Sequence, residues 1–115
     1  INSNLTPIIN DNFIFTVSDE GYLYVLDKIK GNIIRINYLF ENYKLKIRKK
    51  IKPIGFSIGN TNLYLTNNDG KMIIVDLNSG KVIDIQKISG NLVSKPFIYN
   101  QNLFVIKNGS ITQYN

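Results

Sequence analysis

Residues 67–83 read NNDGKMIIVDLNSGKVI, and this stretch decides the fold of the chain. A turn signal, NDG at 68–70, leads into an apolar run that ends at Asp76, and a second turn signal, NSG at 78–80, opens another apolar run. Nearly the same construction stands earlier in the chain, as SDEGYLYVLDKIKGNII at residues 18–34. The sequence therefore contains an internal repeat, and the repeat sets the architecture.

The repeated unit is built from β-strands. Short apolar runs rich in Ile, Val, Tyr and Phe recur about every 8–12 residues, separated by Asn, Asp, Gly and Ser, which is typical of strands joined by tight turns. No window sustains the i, i+3, i+4, i+7 pattern of an amphipathic helix. At 115 residues and 43% hydrophobic content, the chain has the size and composition of one globular domain. We predict an all-β fold.

Three units align, and their length identifies the architecture. The prolines that lead each unit are Pro7, Pro53 and Pro96, so the repeat is about 45 residues long. Each complete unit holds four strands, and a four-stranded meander of that length is one blade of a β-propeller. We predict a single partial propeller over residues 1–115, with about three four-stranded antiparallel blades at approximately 5–37, 51–86 and 92–115. The last blade lacks its fourth strand.

The repeated glycines and aspartates have structural explanations. The glycines follow polar turn residues, where a short hairpin needs a positive φ, and the aspartates end strands, where a carboxylate accepts backbone N–H bonds across a turn. These structural repeat positions are Gly21, Asp27, Gly31, Gly70, Asp76, Gly80 and Gly109.

The amino-acid composition limits which catalytic and metal-binding sites the chain can form. The sequence contains no Cys and no His, which excludes zinc sites and nucleophile–His pairs within this chain. Residues 67–70 (NNDG) are similar to the start of a calcium loop, but the downstream bidentate Glu is missing and a hairpin turn is the better interpretation. We predict no catalytic, cofactor-binding or metal-binding residues and no enzymatic activity.

The net charge of +6 is concentrated in an inserted basic segment at residues 38–52. Its alternation of basic and apolar residues predicts a strand with Lys44, Lys46 and Arg48 on one face. One interpretation is a solvated outer strand whose lysines deter edge pairing. The other is an interaction patch for acidic protein, lipid phosphate or, least favoured, nucleic acid. The candidate patch comprises Lys44, Lys46, Arg48, Lys49, Lys50 and Lys52.

The repeat resembles the PQQ-like (quinoprotein-type) propeller repeat. The matching stretches are 21–27 (GYLYVLD) with Gly31, 70–76 (GKMIIVD) with Gly80, and 90–96 (GNLVSKP), which is similar to the family's entry into a new blade. Blades of that family usually carry a Trp four residues after the last Gly, docked between neighbouring blades. Here Arg35 and Asp84 occupy those positions, so we expect blade docking through Ile and Tyr instead.

Within that superfamily the chain is most similar to the propeller lipoprotein of the bacterial outer-membrane barrel-assembly machinery, the BamB-like type. The resemblance implies a periplasmic, outer-membrane-associated scaffold whose partners are the assembly machinery and unfolded barrel clients. It implies no nucleic acid, no cofactor, and membrane contact only through an anchor outside this chain. A fragment of a PQQ-dependent dehydrogenase, or a generic ligand-binding or signalling propeller, is the alternative.

The blade count leads to one further expectation. Propellers close with at least about four blades, and this chain supplies about two and three-quarters. We therefore expect the C-terminal part of a larger propeller, with open strand edges and blade faces that make the isolated chain self-associate.

Overall fold

The computed structural model describes residues 3–88, 94–99, 101–107 and 110–114. These residues form eleven β-strands and one 3-10 helix at Leu45–Lys50. The strands are β1 (Ile8–Asn10), β2 (Phe13–Val17), β3 (Tyr22–Asp27), β4 (Ile33–Tyr38), β5 (Pro53–Ile58), β6 (Asn62–Asn67), β7 (Lys71–Asp76), β8 (Val82–Lys87), β9 (Phe97–Tyr99), β10 (Asn102–Lys107) and β11 (Ser110–Tyr114).

The strands form three antiparallel meanders in which each strand pairs with its neighbours in sequence. Sheet 1 has the order β1-β2-β3-β4, sheet 2 the order β5-β6-β7-β8, and sheet 3 the order β9-β10-β11. The repeat includes the same irregularity of strand pairing in two sheets. The β3–β4 pairing shifts register after Val25, and the β7–β8 pairing shifts after Ile74, which occupies the same position in its repeat unit. The sheets remain an open stack, and within the described residues the third sheet has three strands.

The turn glycines adopt the conformation that the sequence predicted for them. Gly21, Gly31, Gly70 and Gly80 have φ values of +93°, +72°, +78° and +73°, a region where side chains are strained. Asp27 Oδ1 accepts a hydrogen bond from the N–H of Ile29 at 3.1 Å, and Asp76 makes the matching bond in sheet 2. Gly109 lies outside the described residues.

Two hydrophobic layers hold the three sheets together. The first fills the junction between sheets 1 and 2. Its fully or nearly fully buried side chains include Phe15, Val17, Leu23 and Val25 from sheet 1 and Phe56, Leu63, Leu65, Ile73 and Val75 from sheet 2. The second layer, between sheets 2 and 3, is smaller and includes Met72, Leu103 and Val105. Strand alternation sends successive residues of the middle sheet into opposite layers.

Arg35 changes the expectation about blade docking. Its guanidinium donates from Nη1 to Asn78 O at 2.6 Å and from Nη2 to Leu77 O at 2.8 Å, so it ties β4 of sheet 1 to the β7–β8 turn of sheet 2. Ile and Tyr side chains do pack in this junction, as expected, but they are joined by other groups. Leu, Val and Phe side chains fill the first junction together with Ile73, Ile51 and Tyr43, and the Arg35 guanidinium adds a polar contact. Asp84, the corresponding residue of sheet 2, accepts local hydrogen bonds from Ile85 N and Gln86 Nε2 and, within the described residues, makes no hydrogen bond to another sheet.

Candidate functional site

The basic segment is not the strand that its alternation predicted. It leaves β4 after Tyr38 and forms a 3-10 helix, with Ile47 N bonded to Lys44 O at 3.0 Å and Ile51 N bonded to Arg48 O at 3.3 Å. Tyr43, Ile47 and Ile51 are spaced four apart, and they are the residues of the helical region that pack inwards.

Four apolar residues anchor the basic segment in the first hydrophobic layer. Leu39 and Phe40 are 0% exposed, and Tyr43 and Ile51 are each 6% exposed. The Phe40 and Tyr43 rings meet edge to face, with centroids 5.5 Å apart and an interplanar angle of 88°. Burial of the residues on both sides of the 3-10 helix fixes its two ends. The helix is therefore presented on a packed base.

The β6–β7 turn fastens the same segment with polar side chains. Asp69 Oδ2 accepts a 2.7 Å hydrogen bond from the Tyr43 hydroxyl, which also accepts one from Asn67 Nδ2 at 3.3 Å. Asn68 closes the far end, because its Oδ1 accepts from Lys52 N at 2.9 Å and its Nδ2 donates to Lys50 O at 3.0 Å. Residues 67–69 are thus a clasp for the basic segment as well as a hairpin turn. Nothing in their local sequence distinguishes this role.

The clasp changes the acid–base behaviour of Tyr43. Burial raises the pKa of its phenol, and the hydrogen bond donated to Asp69 raises that pKa further. The phenol therefore stays protonated across the physiological range and keeps donating to the carboxylate.

The six candidate patch residues divide into two groups. Arg48 is turned into the protein, where its Nε donates to Tyr43 O at 2.9 Å, its Nη2 donates to Glu41 O at 2.8 Å, and its Cζ lies 5.5 Å above the Tyr38 ring. Arg48 therefore holds the segment together. The side chains of the other five, Lys44, Lys46, Lys49, Lys50 and Lys52, are exposed.

An exposed leucine stands among those lysines. Leu45 opens the 3-10 helix and is 78% exposed, between the exposed side chains of Lys44 and Lys46. In the predicted strand this residue would have lain on the face opposite Lys44, Lys46 and Arg48. The outcome is a surface lobe with an apolar tip, Leu45, and several exposed lysine side chains. Its last turn carries Arg48, Lys49 and Lys50, and its first turn carries no acid.

A second feature lies where the inner strands of the three sheets converge. There an open groove of about 520 Å³ is lined by residues of all three sheets, among them Ile8, Asn10, Gly59, Ile98 and Gln101. Amide and aliphatic groups dominate this lining. Among the described residues, no group of three or more His, Cys, Asp or Glu side chains is placed to hold a metal ion. No helix within the described ranges is long and apolar enough to cross a membrane.

The three stacked antiparallel meanders, two with four strands and one with three described strands, define the class of fold, which is a partial β-propeller. Solved structures confirm this class. The β-propeller domain of Cps50 (Swd1) from Myceliophteria thermophila is similar with a TM-score of 0.68 and 14% identity, over 84% of this chain and 32% of that one. The sequence matches no protein-family model, and no curated protein matches it either.

Two further similar structures come from bacteria and represent the two branches of the sequence resemblance. BamB from Moraxella catarrhalis has a TM-score of 0.67 and 14% identity, over 94% of this chain and 30% of that one. The quinohemoprotein alcohol dehydrogenase of Comamonas testosteroni has a TM-score of 0.65 and 15% identity, over 88% of this chain and 16% of that one. This chain spans about a third or less of these propellers. At such identities the likeness establishes the fold.

Proposed function

We propose that this chain is a non-enzymatic protein–protein interaction scaffold whose basic segment docks on an acidic protein surface. The observation that carries the proposal is the lobe at residues 44–50, where exposed Leu45 stands among exposed lysines on a packed base. A preorganised lobe loses little conformational entropy on binding. The apolar tip supplies desolvation energy, and the surrounding cations supply steering and orientation.

The geometry favours a protein partner over nucleic acid. The aromatic residues beside the patch are committed to packing, since Phe40 and Tyr43 are buried and Tyr38 lies under Arg48. They are not available to stack on bases. An exposed aliphatic tip instead suits an apolar pocket on a partner rimmed by Asp and Glu.

For the biological setting, we propose assistance to outer-membrane β-barrel protein assembly, in the periplasm and associated with the outer membrane. The support is the sequence resemblance to BamB-like repeats, together with a fold shared with BamB from Moraxella catarrhalis. In that setting the assembly machinery is the docking partner. Unfolded barrel clients pair as extended strands with an edge strand of a sheet.

The test is a binding titration with matched charge variants. The test variant is Lys46→Gln/Lys49→Gln/Lys50→Gln, and the control variant is Lys28→Gln/Lys30→Gln/Lys81→Gln, which removes the same charge from exposed positions elsewhere. The immobilised chain is incubated with detergent-solubilised bacterial envelopes, and the bound central barrel-assembly subunit is quantified by mass spectrometry. Binding to a fluorescent acidic peptide with a central Phe is measured in parallel at low and high salt.

Three exposed lysines contribute roughly 1–2 kcal/mol together, so the test variant binds the acidic peptide about 5–30-fold more weakly at low salt. The control variant binds like the wild-type chain, and Leu45→Ser weakens binding without altering the salt dependence. Equal weakening by both charge variants would refute the basic-segment site. Peptide binding without recovery of the assembly subunit would remove the outer-membrane setting and leave the docking site.

The central groove supports a second candidate, a ligand-binding propeller. Its volume of about 520 Å³ lies in the range of small-molecule sites, and its amide side chains can donate hydrogen bonds to a polar ligand. Calorimetric titration with PQQ, with and without calcium, tests the dehydrogenase alternative directly. Saturable binding that is lost in a Gln101→Leu variant would favour this reading over the scaffold.

A further inference from the structure

A cavity between sheets 1 and 2, called here the junction cavity, has a volume of about 450 Å³. Both of its walls are described sheets, so it does not depend on how either end of the stack is covered. It adjoins the central groove at the β1–β2 and β5–β6 turns but has its own apolar lining. The volume lies in the range of small-molecule sites. The apolar lining comprises Phe13, Phe15, Val25, Ile34 and Leu77.

An irregularity of strand pairing turns one of these side chains into the cavity. Val25 pairs with Arg35 and the next pair joins Leu26 to Ile33, so the β3–β4 ladder skips Ile34. Such a bulge re-aims the side chain of the skipped residue. The Ile34 side chain lines the cavity and is 55% exposed, so a ligand can reach it.

Arg35 gives the junction cavity a positive charge that no described carboxylate neutralises. Its guanidinium donates to two neutral acceptors, the backbone oxygens of Leu77 and Asn78. Its Nε is buried and finds no acceptor among the described residues. A guanidinium has five N–H groups, so donors and charge both remain for a further acceptor. A carboxylate is the acceptor that matches the planar guanidinium best.

The carboxylate of Asp11 also borders the cavity, but it opposes a bound anion only weakly. Asp11 is exposed in the β1–β2 turn, where water and salt screen its charge. Arg35 is half-buried, and screening is weaker at such a position. The charge of Arg35 therefore dominates the electrostatic potential inside the cavity.

The junction between sheets 2 and 3 provides an internal comparison. A cavity of about 430 Å³ lies there at the equivalent position, lined by described residues of both sheets. The β7–β8 ladder skips Ile83 just as the β3–β4 ladder skips Ile34, and Ile83 is 57% exposed in the lining. Asp84 stands in this wall where Arg35 stands in the junction cavity. The two cavities share the bulge and differ in the sign of their charge.

We propose that the junction cavity binds a carboxylate that carries an aromatic or branched aliphatic body. The carboxylate accepts hydrogen bonds from the remaining donors of Arg35, and the body packs against Phe13 and Ile34. A free organic acid and the C-terminal residue of a peptide both present this chemistry. The site is independent of the docking function proposed for the basic segment.

The experiment is a titration of the ¹⁵N-labelled 115-residue chain, followed by its amide chemical shifts at neutral pH. The probes are 3-phenylpropanoate, its neutral amide, acetate, and an acetylated Gly-Gly-Phe peptide with a free carboxylate. We expect 3-phenylpropanoate to bind with a dissociation constant of about 0.1–1 mM and to shift amides of β4 and the β7–β8 turn. The amide and acetate are expected to bind at least about tenfold more weakly, because each lacks one half of the recognised group. Tighter binding of the propanoate than of the peptide identifies a free acid as the ligand, and the reverse order identifies a peptide terminus.

Matched substitutions at the two bulges separate the two cavities. Ile34→Asp adds a negative charge to the junction cavity and is expected to weaken binding of 3-phenylpropanoate at least about fivefold, whereas the neutral Ile34→Asn weakens it less. Ile83→Asp makes the same change at the equivalent exposed position and is expected to leave the affinity unchanged. Asp11→Asn removes the opposing charge and is expected to tighten binding about two- to threefold. Asn tolerates the φ of +54° at that position.

Equal binding of 3-phenylpropanoate and its amide to the wild-type chain would overturn the proposal, and this comparison requires no substitution. Equal losses of affinity in Ile34→Asp and Ile83→Asp would also overturn it, because the ligand would then not distinguish the two cavities. Ile34, Ile83 and Asp11 are all exposed, so thermal melting is expected to show folded variants.

Discussion

Gly21 is the position where a single methyl group tests the packing of the basic segment against sheet 1. Its φ of +93° strains any side chain, and a Cβ built there meets the Phe40 ring 2.6 Å from Cγ and closer still to Cδ2 and Cε2. Phe40 is 0% exposed and belongs to the first hydrophobic layer, so it has no free space to move into. Gly31 provides the comparison, because its φ is +72° and nothing lies within 4 Å of the same Cβ.

The two substitutions share one cost and differ in the other. Gly31→Ala carries only the strain of a positive φ, about 1 kcal/mol after the gain from a stiffer unfolded chain. Gly21→Ala adds overpacking against a buried ring, about 1–3 kcal/mol more. At roughly 4 °C per kcal/mol for a domain of this size, Gly31→Ala lowers the melting temperature by about 4 °C and Gly21→Ala by roughly 8–16 °C.

The assay is thermal and urea unfolding followed by circular dichroism, at equal protein concentration because association shifts the midpoint. A double-mutant cycle then assigns the difference to the ring. Phe40→Leu removes the clashing ring atoms, so Gly21→Ala/Phe40→Leu is expected to lose at least 1 kcal/mol less than the sum of the single variants. Equal losses for Gly21→Ala and Gly31→Ala, or strict additivity in the cycle, would refute the packing described for Phe40.

Three further substitutions test other junctions. Arg35→Lys keeps the charge but loses the paired hydrogen bonds to the β7–β8 turn, so urea unfolding is expected to show a loss of about 1–2 kcal/mol in the free energy of unfolding. Asp84→Asn, at the corresponding position of sheet 2, is expected to cost less than about 0.5 kcal/mol. Tyr43→Phe costs about 1 kcal/mol at neutral pH. The pKa of this phenol is raised in the folded state, so the stability difference between wild type and Tyr43→Phe is fully present below about pH 10 and is lost as the pH rises further. A difference that grew with pH would contradict the hydrogen bond from Tyr43 to Asp69. Thr66→Val removes the 2.9 Å bond to Ser94 O between sheets 2 and 3 and lowers stability by about 1 kcal/mol; an unchanged midpoint would show that bond to be dispensable.

The sequence predicted the fold because its signals are local and repeated. Gly21 and Gly70 precede apolar runs of the same length, each ending in Asp, and a hairpin needs little beyond such turn chemistry and alternation. The structure confirms the all-β partial propeller. The β3–β4 and β7–β8 hairpins both form, and both shift register just before their last residue pair.

The candidate site was predicted less well, for a physical reason. The six basic residues were identified, but their strand was wrong and the role of Arg48 was not foreseen. In a run such as KLKIRKKIK, the apolar residues fit a spacing of two, as in a strand, about as well as a spacing of four, as in a helix. Local sequence cannot choose between the two periods, because the choice depends on where the flanking Phe40 and Tyr43 are buried.

By itself, the sequence determined the repeat, the turn positions, the strand alternation and the concentration of positive charge, since each depends on residues within a few positions of one another. Tertiary structure alone decided what meets across the sheets. Arg35 reaches carbonyls more than forty residues away, and Asp69 accepts a hydrogen bond from Tyr43 twenty-six positions earlier. It also decided which copies of the repeated apolar faces remain open, because identical alternation buries Leu23 completely and leaves Ile111 at the surface. Burial is a property of neighbours in space, and a repeated pattern fixes only which side chains share a face.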